Sequence, residues 1–198
     1  MSHFDKRAKH WDKGNVRVNG ALVIAEAIQK RHPFTQNMEI MDFGVGTGLL
    51  GFEIAPKVKK VYGVDTSKKM LEQVKEKNSS ELSIEPIHQD IVAFPLEQSF
   101  HALVSSMTLH HIENLELFFT TIYKNIKEDG FIAIADLEKE DGTFHSDNSG
   151  VFHFGFEKEK LLEIVQRCGF SNAKFENINT IEKPHKNFGV FLLTASKQ

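Results

Sequence analysis

The segment Met41-Asp42-Phe43-Gly44-Val45-Gly46-Thr47-Gly48 constrains the fold of this chain more than any other stretch. Glu39–Phe43 reads as a short strand running into it, and Leu49–Ala55 as a helix leaving it, stopped near Pro56. Alternating glycines at such a junction permit positive φ and let a ligand come close to the backbone. The free N–H groups at the start of the helix favour a carboxylate or a phosphate. Asp65 ends the next strand, where an acid can hold both hydroxyls of a ribose. A nucleoside-containing ligand follows from the strand, the glycines and the distal acid taken together. A tight turn without a ligand is the plainer alternative, and the coincidence of the three features weighs against it.

The rest of the chain alternates strand and helix. The pattern predicts an α/β fold: a single three-layer Rossmann-like domain with helices on both faces of a mostly parallel seven-stranded sheet. Helices are expected at Val16–Lys30, Leu49–Ala55, Ser67–Lys77, Leu115–Ile126 and Glu157–Cys168. Beyond the first, strands are expected at Lys60–Val64, Leu82–Ile87, His101–Ser105, Phe131–Ala135, Ala173–Ile181 and Phe188–Ala195, the last two as a hairpin-like closing pair. At 198 residues, with no repeat and no linker, one domain is expected. Residues 1–32 would form an N-terminal helical lid, 38–138 the cofactor-binding core, and 139–198 an acceptor-side loop, helix and closing strands. The polar run Lys139–Gly150 suits a pocket rim better than a core.

Composition narrows the setting. Apolar runs such as Gly189–Ala195 are too short to span a bilayer, and the charged N-terminus has no apolar leader core, so no membrane association is expected. With Cys168 as the one cysteine no internal disulfide can form, which fits a reducing, cytoplasmic location. A formal charge of −3 argues against a domain built to grip a nucleic-acid backbone. Seventeen phenylalanines, against two tyrosines and one tryptophan, read first as core filling and second as a greasy acceptor pocket.

Two nucleoside cofactors compete for the glycine loop. A dinucleotide site needs G-x-G-x-x-G, and counting from Gly44 the last position falls on Leu49. Asp42, two residues ahead of Gly44, would sit badly beside a pyrophosphate and well beside the ammonium of an amino acid. The loop therefore fits the methionine part of S-adenosylmethionine better than NAD. Asp90, in His88-Gln89-Asp90-Ile91, could accept from an adenine amino group. With Asp42 and Asp65 it would line the carboxyl ends of the first three strands, where such sheets bind ligands.

Together these segments resemble the class I S-adenosylmethionine-dependent methyltransferases over nearly the whole chain. MDFGVGTGLL resembles their first motif, VYGVDTSKKML the second, HQDI the adenine segment and VSSMTLHHI the segment after strand four. FDKRAKHWD, DLEKEDGTFH and the stretch His153–Phe156 resemble a narrower group of small stand-alone members. The resemblance implies a last strand running antiparallel, S-adenosyl-L-methionine as donor and S-adenosyl-L-homocysteine as product. It implies that Asp42 meets the methionine amino group beside Gly44, Val45, Gly46 and Gly48. Asp65 with Thr66 would hold the ribose, Asp90 with Ile91 the adenine, and Ser105 and Ser106 would pass near the methionine end. Serine-Ser-Met-Thr after strand four, Ser105–Thr108, departs from the Asn/Asp-Pro-Pro-aromatic tetrapeptide of DNA and protein-glutamine N-methyltransferases. It also lacks the Pro-Cys of cytosine C5 methylation, and one cysteine is too few for arsenic methylation.

Methyl transfer is an in-line displacement from an already activated donor, so alignment and removal of water dominate. A base is needed only for an acceptor that is protonated. His110, His111, His145 and His153 are the candidate bases, each with a structural role as the plainer reading. Asp136, Glu138, Glu140 and Asp141 with two of these histidines match no dedicated metal spacing, and no metal is expected. Trp11, Arg17 and Met107 are candidates for the lid or the acceptor pocket. Phe152, Phe154 and Phe156 alternate and would share one side of a strand, as core packing first and pocket wall second. Three functions stay open: methylation of a small molecule, methylation of a protein or RNA with a partner's help, and sensing of the donor or its product without turnover. The oligomeric state is not readable.

Overall fold

The computed structural model describes residues 4–5, 8–13 and 15–198. The lid reading for residues 1–32 thus lies partly outside the described residues. Seven strands form one sheet in the order β3-β2-β1-β4-β5-β7-β6. They are β1 (Glu39–Phe43), β2 (Lys60–Asp65), β3 (Ile84–His88), β4 (Phe100–Ser106), β5 (Ile126–Leu137), β6 (Ser171–Lys183) and β7 (Lys186–Ser196). All neighbouring pairs from β3 to β5 are parallel, and β7 alone runs against them, paired antiparallel with β5 and with β6. The helices are α1 (Asn15–Arg31), α2 (Leu49–Ile54), α3 (Lys68–Lys77), α4 (Leu115–Asn125) and α5 (Lys158–Arg167).

Alternation along the buried strands sends side chains to two opposite helix layers. Ile40, Val61, Ala102, Val104 and Ala133 pack under α1, α2 and α3 beside Ile24, Ile28, Leu50, Ile54 and Val74. Met41, Phe43, Leu103, Ile132 and Ile134 face the other way, against Phe118, Phe119 and Ile122 of α4 and Leu161 and Val165 of α5. Eight of the seventeen phenylalanines fill this second layer. Helix starts are fixed locally. Ser67 accepts from the Met70 N–H at the head of α3, 3.2 Å, and Asn114 from the Leu117 N–H at the head of α4, 2.9 Å.

One reading is corrected. Phe156 is buried, but Phe152 and Phe154 are exposed, 52% and 38%, so the three do not share a face. The segment is not a strand. The Phe152 and His153 N–H groups both converge on the His110 carbonyl, and Gly155 takes φ +64°. Those two constraints rotate the chain out of the extended alternation the spacing suggests.

Candidate active site

Strand order reverses direction between β1 and β4, and open sheets of this kind take their ligands in a crevice at the carboxyl ends of the two strands flanking such a reversal. The glycine loop forms one lip. Gly44, Gly46 and Gly48 all have positive φ. A Cβ on Gly44 would lie 2.3 Å from the Thr108 side chain, so a glycine lets the loops after β1 and β4 touch. A Cβ on Gly46 would meet nothing within 4 Å, so the backbone there faces open space. Val45 is buried and its N–H, like that of Gly44, bonds the Val64 carbonyl, which ties the loop to β2.

Three acids stand at the ends of β1, β2 and just beyond β3. Asp42 is buried, and its Oδ2 has no hydrogen-bond partner among the described residues. Burial first, then the nearby Asp65 charge, push its carboxyl up to about 8, offset in part by the Gly51 backbone. Asp65 accepts from the Gly46 N–H at 2.9 Å and the Ser67 N–H at 2.8 Å. Burial raises its carboxyl as well, against these donors. Asp90 accepts through Oδ1 from the Val92 and Ala93 N–H groups, capping the turn in which Ile91 is buried. Beside it, Thr66, His88, Gln89, Asp90 and Phe94 line a cavity of about 460 Å³. Phe94, 70% exposed, forms its apolar wall, and the His88 ring bonds the Thr66 carbonyl at 3.0 Å. Neither His88 nor Phe94 stood out in the sequence, since neither lies in a glycine or acid pattern.

The loop after β4 forms the other lip. Ser105 is buried and its hydroxyl donates to the Phe43 carbonyl, which leaves only its backbone for a ligand. Met107 takes φ +54° and bonds the Ala135 carbonyl, turning the chain just past the half-buried Ser106. A short 3₁₀ turn, Leu109–His111, follows. His110 is buried, with Nδ1 2.8 Å from Asp136 Oδ1 and its backbone N–H 3.1 Å from Asp136 Oδ2. The His111 ring lies 4.1 Å from that of His110, and the His145 ring 4.9 Å from it. Burial first, then His110, His111 and Lys183, lower the His145 imidazole to about 4. Three of the four histidines thus meet. His153 bonds the Ile112 carbonyl at 2.9 Å and lines a separate cavity with Glu113–Glu116 and Ile164.

Sequence spacing did not pair Asp136 with His110, because the two lie 26 positions apart on neighbouring strand ends. The other acids scatter. Glu138 accepts from Asn177, Glu140 from the N–H groups of Gly142, Thr143 and Phe144, and Asp141 from Thr143 and Lys186. Among the described residues no group of three or more His, Cys, Asp or Glu is placed to hold a metal, and no helix is long and apolar enough to cross a membrane.

The N-terminal segment lies over both lips. Asp12 accepts from the Thr47 hydroxyl at 2.5 Å and pairs with Lys77, which also donates to the Thr47 carbonyl. Asp5 accepts from the Ser67 hydroxyl at 2.7 Å. The Phe4 ring meets His111 at 5.1 Å and Trp11 at 6.1 Å, and the Arg17 guanidinium stacks on Trp11 at 4.4 Å.

Residues 40–130, which hold the glycine loop, the three acids and the His110 turn, match the family described as a methyltransferase domain. An uncharacterized methyltransferase of Bacillus cereus is 34% identical over 167 residues, covering 80% of this chain and 77% of that protein. The chain belongs to the methyltransferase family. An uncharacterized methyltransferase of Schizosaccharomyces pombe is 30% identical over 155 residues, 69% of this chain and 55% of the relative. The chain thus spans about half the length of that relative. The fold is shared with Haemonchus contortus phosphoethanolamine N-methyltransferase 2, solved in complex with S-adenosyl-L-methionine, at a TM-score of 0.70 and 18% identity. That match covers 100% of this methyltransferase chain and 60% of the neighbour.

Proposed function

We propose that the chain binds S-adenosyl-L-methionine at the glycine loop and moves its methyl group to a small-molecule acceptor held between the loops after β4 and β5. The observation that carries this reading is the buried carboxyl of Asp42, its Oδ2 without a partner among the described residues, beside a glycine loop whose backbone is open at Gly46. A buried acid so poorly satisfied calls for a cation, and the donor's ammonium supplies one. Asp65, with Thr66 behind it, would take the ribose hydroxyls. Asp90 keeps one carboxyl oxygen outside its turn, and the Phe94 wall offers an apolar face to a purine. These residues bind and orient. The reactive methyl comes with the donor, so the chain's remaining task is to place the acceptor in line and exclude water.

For residues 1–32 a lid role is supported by contacts that reach both lips of the crevice. Residues 139–198 supply the histidine-bearing loop and the strands behind it. A small acceptor is supported by the enclosed setting of His110 and His145 and by the net charge of −3, which offers little to a nucleic-acid backbone.

Calorimetry with S-adenosyl-L-methionine and with NAD tests the donor. Binding of NAD in place of the sulfonium compound sinks the proposal. Asp65→Ala should weaken donor binding about a hundredfold, since two charge-assisted hydrogen bonds to the ribose disappear. Labelled donor incubated with extract fractions tests the acceptor: label confined to protein or RNA rejects the small-molecule part alone.

A further inference from the structure

Two imidazole nitrogens, His110 Nε2 and His145 Nε2, are buried without a hydrogen-bond partner among the described residues, in the loops after β4 and β5. Native interiors seldom leave such groups unmatched, and a ligand is the ordinary remedy at a crevice. Asp136 decides what His110 can offer. Its carboxylate is fully buried and held by three donors: His110 Nδ1, the His110 backbone N–H, and the Leu137 N–H at 2.7 Å. A carboxylate so fixed keeps the proton of His110 on Nδ1, which leaves a lone pair on Nε2. The imidazole stands two residues past Thr108, which touches Gly44 of the donor loop, so the turn that carries the buried lone pair packs against that loop.

Desolvation then selects the acceptor. The charges nearby are mixed: Lys183 disfavours a protonated His145 while Asp136 favours it, and Lys183 itself faces Glu140 first and Arg17 second. Asp136 is committed to His110 and Glu140 to three backbone N–H groups. An ammonium acceptor would lose its hydration at these buried imidazoles without a free carboxylate to replace it, whereas a neutral hydroxyl gives up less water and can donate its proton to the Nε2 lone pair.

We propose that Asp136 positions His110 as the general base for a weakly acidic hydroxyl acceptor of the phenol or enol class, so that the chain is an O-methyltransferase. This deepens, and rests on, the methyl-transfer reading above. The hydroxyl proton passes to His110 Nε2 as an oxygen lone pair attacks the sulfonium methyl. The C–S bond breaks with its electron pair going to sulfur. The products are a methyl ether, the thioether S-adenosyl-L-homocysteine and a protonated His110, which returns its proton to solvent. His110 is the catalytic residue, and Asp136 acts through it as a positioning residue.

The test uses the full chain, tritiated-methyl S-adenosyl-L-methionine, and two probe sets: phenol, catechol and 4-nitrophenol against ethanolamine and phenethylamine. His110→Asn keeps a donor toward Asp136 without a base. It should bind the donor with unchanged affinity and lose at least about a hundredfold in transfer to phenols. Asp136→Asn should lose a smaller factor and move the acidic limb of the pH–rate profile. The groups facing His110 in that profile are Asp136 from β5, His111 from its own turn and His145 from the following loop, with Lys183 of β6 behind. Nitrogen-15 spectra of His110 give a readout apart from turnover. They should show the Nδ1–H form in the parent, a mixture in Asp136→Asn, and a shift at Nε2 when phenol is added with S-adenosyl-L-homocysteine. Label in the amines, donor binding with no label in any phenol, undiminished transfer in His110→Asn, or an Nε2–H form in the parent each overturn the proposal. Failure of the parent to bind the donor overturns the methyl-transfer reading itself, and this one with it.

Discussion

The two lips of the crevice are built by different means. On the donor side, the glycines follow one another within five positions and each acid closes or follows its own strand, so every part is set by local sequence. On the acceptor side, the parts come from afar. His110 is held by Asp136, His111 by the Gly150 carbonyl at 2.7 Å, and Lys183 reaches the Phe144 carbonyl from β6. The chemistry follows suit. The donor lip leaves a buried acid without a cation, while the acceptor lip leaves buried imidazoles without a partner.

The largest expected effect breaks the donor lip at its contact with the other. In Gly44→Ala the new Cβ meets Thr108 at 2.3 Å, and a β-branched side chain has no easy rotamer to retreat to. Donor affinity should fall at least about a hundredfold, since the loop must shift and the residue is also held at positive φ. Gly46→Ala, with open space around its Cβ, carries only the φ cost of about 1 kcal/mol and should weaken binding about fivefold. Equal losses, measured by calorimetry, would show that the lips do not need to touch.

The next two effects set the halves against each other through pH. For Asp42 the folded carboxyl is raised to about 8, so the folded state keeps a proton that the unfolded chain releases. Stability should therefore fall as pH rises from about 4 to about 8 and level off above. Asp42→Asn removes that fall and should stabilise the ligand-free protein at pH 8 by about 2 kcal/mol, with little change at pH 4. Donor binding reverses the sign: an ammonium favours the carboxylate, so a proton leaves on binding near pH 7, seen as a buffer-dependent heat. For His145 the folded imidazole is lowered to about 4, so stability is lost as pH falls from about 6.5 to 4. Partial exposure limits this to about 1 kcal/mol, read as the difference in unfolding free energy between the parent and His145→Gln at pH 7 and pH 5.

This difference also governs what the sequence reveals. The seven strands and the two helix layers follow from apolar alternation and from the glycine punctuation, whereas the antiparallel last strand is implied by the resemblance to the class I methyltransferases. Strand ends drifted where the local signal was weak. β5 begins at Ile126, ahead of the expected start at Phe131, because Phe100 pairs with Ile126 across a bulge. Gly44 and Asp65 are legible from their spacing as a positive-φ loop glycine and a strand-end acid. His110 could be singled out by its place after β4, but its partner could not, because Asp136 reads equally well as a solvated acid until the strand ends are brought together. Phe94 and His88 escaped for another reason: an aromatic in a loop has no pattern to belong to.

The smallest expected effect concerns the strap that joins the halves. Asp12 and Lys77 are each about one-third exposed, and an ion pair in that setting contributes about 0.5 kcal/mol to folding. Lys77→Ala should therefore barely move the unfolding midpoint. The same lysine, however, donates to the Thr47 carbonyl, and Asp12 receives the Thr47 hydroxyl, so the pair clamps the N-terminal segment on the glycine loop itself. If that segment closes over bound donor, loosening the clamp acts on escape more than on folding. The donor's dissociation rate, followed by stopped flow, should rise about threefold while the association rate stays constant. A change confined to association would mean that the segment obstructs entry, and no change in either would mean that it packs on the loop without gating it.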